Sequence, residues 1–446
     1  MSNRPHLIHV NINQPSLQAV RGEGIYLYDA DGNRYLDGCS GALVANLGHG
    51  AGEIARAMAA QSETLPYVFR VHFSSPPAEA LAERYCRLTR NPMGAVLFTN
   101  SGSEAVETAV KLARTRHLSA GETDRHKIIS RWQSYHGITA GALAWSGVAG
   151  RRKDFLPYFK DSPHIPPAYC YRCWYGKRPD ACDLQCARAL ETVILTEGPE
   201  TVSAFIAEPV VGAALAAATP PDGYFRLIRE ICDRYGVLFI ADEVMTGAGR
   251  TGGSFFASDH FPGEPHIIAF GKGVGAGYYP LAGVLVRPEI IDAISAGSGL
   301  YSASQSHSAH PVGMAAGMAV LDYMEAHRLP EHAREMGIHL GNRLNELRSL
   351  ALVGDIRGMG LMWGMELVKD KESREPFPAG QNLYLDLYES AREKGLVLLP
   401  SNGCNHGKNG DMALIAPPLI ITRPQVDELV DTLYEALTGL AEHLCI

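Results

Sequence analysis

Three continuous apolar runs in the middle of the chain constrain its fold more than any other feature. They are Ser203-Ala204-Phe205-Ile206-Ala207, Val237-Leu238-Phe239-Ile240-Ala241 and His266-Ile267-Ile268-Ala269-Phe270. A half-exposed strand alternates apolar and polar residues, whereas short uninterrupted runs suit strands buried on both faces. Such strands belong to a parallel sheet covered by helices. Ala95 to Thr99 and Lys127 to Ser130 read as further strands of the same kind, and Tyr224 to Arg234 reads as a crossover helix. The expected class is therefore α/β, with a mostly parallel sheet covered by helices.

The chain has 446 residues, too many for one small domain. Residues 1–66 read as an N-terminal segment packing with a small domain. Within it, Ile25 to Tyr28, the turn cluster Asp29 to Asn33, and Arg34-Tyr35-Leu36 suggest a hairpin. Residues 67–325 form the expected large domain. Residues 326–446 form a smaller α+β domain: a helix over Glu331 to Leu350, a strand over Met362 to Leu367, a helix over Asn382 to Lys394, a strand over Leu396 to Leu399, and a last helix from Pro424 to about Leu440. Proline suits the first turn of a helix.

Charge and composition exclude several functions. The formal net charge is -8, and no basic patch points to nucleic acid. No apolar run approaches the roughly 20 residues needed to span a bilayer. Met1 to Gln18 lacks a basic start followed by an apolar stretch, so no secretory signal is read there and a cytoplasmic location is expected. The nine cysteines are an odd number spread over a large chain, which fits reduced thiols. Cys170, Cys173, Cys182 and Cys186 stand apart, with spacing C-x2-C-x8-C-x3-C. They could bind zinc tetrahedrally, form a local disulfide or stay free. No catalytic metal is assigned.

The chemistry concentrates where the apolar runs end. One leads to Glu208, one to Asp242-Glu243, and one through Gly271 to Lys272. Open α/β sheets bind ligands at the carboxyl ends of their strands. Any one of these groups alone could be a solvated strand end; three together suggest one site. Lys272 lies between Gly271 and Gly273, and a desolvated lysine amine suits Schiff-base chemistry. A buried Asp242 could keep a ring nitrogen protonated. That lysine and aspartate pair matches the needs of pyridoxal 5'-phosphate. Asn100-Ser101-Gly102-Ser103, between a strand and a helix start, could cradle the phosphate, although a serine there is also commonly a plain N-cap. Tyr135, in Tyr135-His136-Gly137, could stack on a flat ring or be a core tyrosine.

One motif points elsewhere. Gly247-Ala248-Gly249-Arg250-Thr251-Gly252 matches the dinucleotide pattern G-x-G-x-x-G. Gly253-Ser254-Phe255-Phe256 does not open a convincing helix, however, and no acidic residue lies about 20 positions further on. Gly271-Lys272-Gly273 is no phosphate-binding P-loop, because neither Ser nor Thr comes after the lysine.

Taken together, these residues resemble the class III aminotransferases, fold type I pyridoxal-phosphate enzymes that include the ω-transaminases. The resemblance covers nearly the whole chain. It is carried by Gly24, Asp29, Gly32, Tyr35, Asp37, Gly41, Gly48 and His49, by Ser101-Gly102-Ser103-Glu104-Ala105, by Tyr135-His136-Gly137, and by Glu208-Pro209. Asp242-Glu243-Val244, the Thr246 to Gly252 run and Gly271-Lys272-Gly273 complete it.

The resemblance implies roles. Lys272 is the Schiff-base and proton-shuttling residue, and Asp242 binds the pyridine nitrogen. Ser101, Gly102 and Ser103 hold the phosphate. Tyr135 and Val244 flank the ring, with His136 and Glu208 beside the cofactor. Ser306 stands where the family has a threonine reaching the phosphate of the other subunit, which implies a homodimer or a dimer of dimers. Arg423 pairs with a substrate carboxylate. Leu43 replaces a tryptophan common in aryl-amine transaminases and makes an aromatic donor less secure. The implied reaction moves an amino group by a ping-pong route from an amine or an ω-/β-amino acid to an α-keto acid such as pyruvate. The same scaffold also supports aminomutases and decarboxylases, and a non-catalytic cofactor-binding protein is a further alternative.

Overall fold

The computed structural model describes residues 6–13, 16–160 and 162–445. Met1 to Pro5, the start of the stretch read as carrying no secretory signal, lie outside the described residues.

The three apolar runs become strands Val202–Ala207, Leu238–Glu243 and Ile267–Phe270, every residue of which is buried. They pair in parallel as neighbours in a seven-stranded sheet. Lys127–Arg131 and the short His164–Ile165 continue the parallel order on one side. On the other side Ala282–Val286 runs antiparallel to both of its neighbours, Ile267–Phe270 and Ala95–Thr99. The sheet is thus mostly parallel, with one reversed strand.

Alternation along each strand divides the core. Ala204, Ile206, Leu238, Ile240, Ile267 and Ala269 face one side, where Ala105, Val106, Ala109, Leu112 and Ala113 of helix Gly102–Ser119 cover them. Phe205, Phe239, Ile268 and Phe270 face the other side and join the larger core. Each such side chain contributes about 1.5–3 kcal/mol of burial. The Ala282–Val286 strand was not anticipated in the sequence, because Gly283 interrupts its apolar run. The glycine is there for space: a Cβ on it would lie 2.6 Å from the Phe270 ring.

The two ends of the chain meet. Tyr26–Asp29 and Arg34–Asp37 form the expected hairpin, and Arg34–Asp37 also pairs in parallel with Leu396–Val397. The Tyr26 hydroxyl donates to Glu428 on the last helix at 2.7 Å. A separate antiparallel sheet takes Val353–Met359, Met362–Leu367, Asn409–Ile415 and Leu399–Asn405 in that spatial order. The strand expected over Leu396 to Leu399 is therefore split between two sheets at Leu398. Leu399–Asn405 escaped notice because Pro400, Asn402 and Gly403 read as a turn.

The Gly247 to Gly252 run opens no helix and is a turn. Its work is done by Arg250, which is fully buried. Its guanidinium donates to the carbonyls of Leu361 and Pro417, to Ser40 Oγ at 3.1 Å and to Asn46 Oδ1. One side chain beyond the strand Leu238–Glu243 thus satisfies acceptors at Ser40 and Asn46 and at Leu361 and Pro417. Burial pushes its pKa down to about 9, so the cation is held by these bonds rather than by solvent.

All nine cysteines are free thiols, and among the described residues no group of three or more His, Cys, Asp or Glu is placed to hold a metal ion. No described helix is long and apolar enough to cross a membrane.

Replacing Arg250 with Met should cost about 3 kcal/mol or more, since several buried acceptors lose their donor at once. Urea unfolding should show a lowered midpoint. Wild-type stability in that variant would remove Arg250 from this clamping role.

Candidate active site

Ala95–Thr99, Lys127–Arg131, Val202–Ala207, Leu238–Glu243 and Ile267–Phe270 all point the same way, so their carboxyl ends share one edge of the sheet. Residues at or just beyond those ends are delivered to that edge: Ser101 to Ser103, Tyr135 to Gly137, Glu208, Asp242 and Lys272. The side-chain period of two then sorts the adjacent acids. Asp242 continues the parity of Leu238 and Ile240, on the face that helix Gly102–Ser119 covers. Glu243 points to the opposite face, where it is fully buried and accepts from the backbone N–H groups of Ala257 at 3.0 Å and Ser258 at 2.6 Å. One carboxylate is left for chemistry and the other ties down a loop.

A cavity of about 160 Å³ collects the site. It is lined by Gly102, Ser103, Tyr135, His136, Gly137, Glu208, Asp242, Val244, Met245 and Lys272. Asp242 is buried and doubly held. Its Oδ2 lies 2.7 Å from His136 Nδ1, and its Oδ1 accepts from the Val244 backbone N–H at 3.1 Å. Among the described residues, buried His136 Nε2 has no hydrogen-bond partner.

Lys272 is partly buried and has φ 51°, a left-handed conformation that a non-glycine residue adopts only under constraint. Desolvation pushes its amine down to about 8, against the opposing pull of Asp242 and Glu208. A larger share of the amine is therefore in its neutral, nucleophilic form at ordinary pH than for an exposed lysine.

Glu208 accepts from the backbone N–H of Tyr135 at 3.0 Å and of Gly212 at 2.7 Å. Burial raises its pKa. Its observed contacts hold the Tyr135 loop. Gly137 has φ 142°, and a Cβ there would lie 2.5 Å from Ser103 Oγ. Gly102 faces Val244 in the same way, with a Cβ meeting the valine at 2.7 Å. Both glycines keep the cavity wall open.

Other expected residues lie elsewhere. Ser101 is the N-cap of helix Gly102–Ser119: its Oγ accepts from the Glu104 backbone N–H at 3.2 Å while Glu104 accepts from Ser101. Only Gly102 and Ser103 of that loop reach the cavity. Leu43 is buried in an apolar cluster with Met245 and does not line the cavity. Ser306 is exposed, and its carbonyl accepts from the Tyr67 hydroxyl. Arg423 is the exposed first residue of the last helix, Arg423–Leu444, and is not part of the cavity wall. Met245 and Arg151 carried no sequence signal. Met245 lines the cavity, and the Arg151 guanidinium lies 4.4 Å from the centroid of the Tyr135 ring.

The cavity thus unites a desolvated lysine, a buried aspartate and a helix N-terminus. Residues 8–437 match the family described as aminotransferase class-III. The chain belongs to this family and is an aminotransferase. It is 38% identical over 423 residues to a Bacillus subtilis protein described as the uncharacterized aminotransferase YodT, covering 95% of each. It is 33% identical to a putrescine–pyruvate aminotransferase of Pseudomonas aeruginosa, covering 96% of this chain and 91% of that one. A thermostable (S)-enantioselective omega-transaminase from Thermomicrobium roseum superposes with a TM-score of 0.90 at 36% identity, covering 98% of this chain and 96% of that one.

The depressed amine predicts a pH profile. Only the neutral amine reacts with an acylating reagent, so acetylation of Lys272 in the cofactor-free protein should rise with pH and level off just above about 8. Exposed lysines should keep accelerating well beyond that. Peptide-resolved mass spectrometry reads both; a Lys272 profile that tracks the exposed lysines would contradict the desolvated site.

Proposed function

We propose that the Lys272 cavity holds pyridoxal 5'-phosphate and that the chain moves an amino group from an amine or ω-/β-amino acid to an α-keto acid such as pyruvate by a ping-pong route. The observation that carries this reading is that Lys272 and Asp242 line one cavity from the ends of adjacent strands.

The residues fit the cofactor. The Gly102 and Ser103 backbone at the helix N-terminus offers donors and a favourable dipole to a phosphate. Tyr135 offers a ring face and Val244 an apolar one. Asp242, backed by His136 and the Val244 N–H, presents an anion to a ring nitrogen. The absence of a Cβ at Gly102 and Gly137 leaves room beside them. When bound, the cofactor supplies an electron sink that acidifies a C–H next to the amine. Lys272 would then do the protein's share: its neutral amine would hold the cofactor, and once freed it would take up a proton beside the substrate amine and return it.

We place the working enzyme as a homodimer, or a dimer of dimers, in the cytoplasm. In that assembly the exposed Ser306 hydroxyl would serve the partner's phosphate.

The first test is the visible spectrum of the purified protein with a panel of amines. The reading expects a yellow band that fades with a productive amine and returns with pyruvate. A band that forms and never fades would remove the transamination step, and no band after adding pyridoxal 5'-phosphate would remove the cofactor. Lys272→Ala should fold normally and lose about 10⁴-fold or more in turnover. Asp242→Asn should lose about 10²-fold or more, while still accepting the cofactor.

A further inference from the structure

A second cleft opens beside the lysine cavity and shares Tyr135 with it. Its volume is about 450 Å³. Two segments far apart in sequence form its walls. One is the stretch Gly147 to Arg151, which includes the short helix Ala149–Arg152. The other is Leu399–Asn405 with the turn leading to Asn409–Ile415. The walls nearly touch, since a Cβ on Gly407 would lie 3.1 Å from the Ala149 Cβ.

The charge of this cleft is one-sided. Arg151 and Lys408 line it, one from each wall, and among the described residues no Asp or Glu does. Among the described residues neither cation has an ion-pair partner. The remaining polar groups on its walls are neutral: Gln133, Tyr384, Ser401 and Asn402. Asp411 lies nearby, where it accepts from the Tyr384 backbone N–H at 3.2 Å, but it is not among the residues lining the cleft. Glu208 and Asp242 lie in the inner cavity instead. A substrate crossing from one space to the other therefore meets anions at the inner end and cations at the outer end.

Arg151 and the turn that carries Lys408 are held in place. Arg151 stacks over Tyr135 and is near enough to Lys272 to help depress its amine. The turn that carries Lys408 is closed by Gly407 N–H to the Gly403 carbonyl at 2.9 Å and Lys408 N–H to the Asn405 carbonyl at 3.0 Å. Gln133 donates to the carbonyls of Gly403 at 3.1 Å and Cys404 at 2.6 Å. Trp174, inside the cysteine-bearing loop, donates to Gln133 Oε1 at 3.2 Å and packs against His406, ring centroids 5.0 Å apart. That loop thus braces the cationic turn through Gln133.

We propose that Arg151 and Lys408 form the subsite for a substrate carboxylate, so that the preferred donor is an amino acid whose carboxylate is remote from its amine, rather than a simple amine or a diamine. The inference rests on the transaminase reading of the adjoining cavity. A guanidinium and an ammonium converging on one carboxylate give charge-assisted bonds. The same pair repels the second ammonium of a diamine. A keto-acid acceptor uses the same anchor in the return half-reaction, which lets one site serve both substrates in turn.

The test compares three donors of equal carbon count with the holoenzyme: 4-aminobutanoate, butylamine and 1,4-diaminobutane. The expected order of kcat/KM is amino acid, then amine, then diamine. Arg151→Gln and Lys408→Gln should each reduce the preference for 4-aminobutanoate over butylamine by about tenfold, mainly through KM. Lys408→Glu, on an exposed turn, should move the preference toward the diamine. Calorimetry with unreactive butanoate gives a second readout, its Kd weakening about tenfold in Lys408→Gln. The proposal is overturned if the diamine is the best donor of the wild type. It is also overturned if both the preference and butanoate binding survive the substitutions, or if they fall instead with Arg423→Gln. Butanoate binding that depends on Lys408, in a protein that turns over no donor, would keep the carboxylate subsite and overturn the transaminase reading alone.

Discussion

Burial of the central sheet on both faces is the constraint on which the rest depends. No charged side chain can lie along those strands without losing its water, a cost that rises steeply in an apolar interior. Charge is therefore pushed to the strand ends, and five strands that point the same way bring their ends to one edge. The site is the place where the fold can tolerate polar groups. Even there each carboxylate is partnered: Asp242 by His136 and a backbone N–H, Glu208 by two backbone N–H groups, Glu243 by a loop on the far face. Lys272 is held against a desolvation cost that lowers its pKa and so favours the neutral amine.

The surrounding structure serves this edge from a distance. Arg250 ties Ser40 and Asn46, and the carbonyls of Leu361 and Pro417, to the turn that follows Leu238–Glu243. The cysteine-bearing loop is anchored through Arg172, whose guanidinium contacts the fully buried Glu366 at 2.5 Å, and it reaches the cleft through Trp174 and Gln133. A glycine-rich run that looks like a dinucleotide loop, and a cysteine group with metal-like spacing, both act in this structure as braces.

Much of this was legible in the sequence. The buried strands announced themselves as unbroken apolar runs, and the helix Tyr224–Tyr235 by its periodic face. Lys272, Asp242, Gly102, Ser103 and Tyr135 were found because each stands at or soon after the end of a strand. Ser101 shows where local reading divides: the same residue type serves a phosphate loop or an N-cap, and only the reciprocal bonds with Glu104 identify the cap. Ala282–Val286 and Leu399–Asn405 were hidden because a glycine or a proline stands where a neighbour crowds the chain or an edge is exposed. Neither reason appears in a local pattern.

The sequence by itself determined most of the strands and helices and the residues that end them, because those depend on interactions a few positions apart. It also determined the chemistry available: one lysine between glycines and carboxylates behind apolar runs. The tertiary structure decided which of these meet. That Gln133 holds the carbonyl of Cys404, that Arg250 reaches Ser40 and Pro417, and that Arg151 and Lys408 face one cleft are outcomes of packing between segments far apart in the chain. Such meetings depend on how whole faces fit, which local preference does not encode.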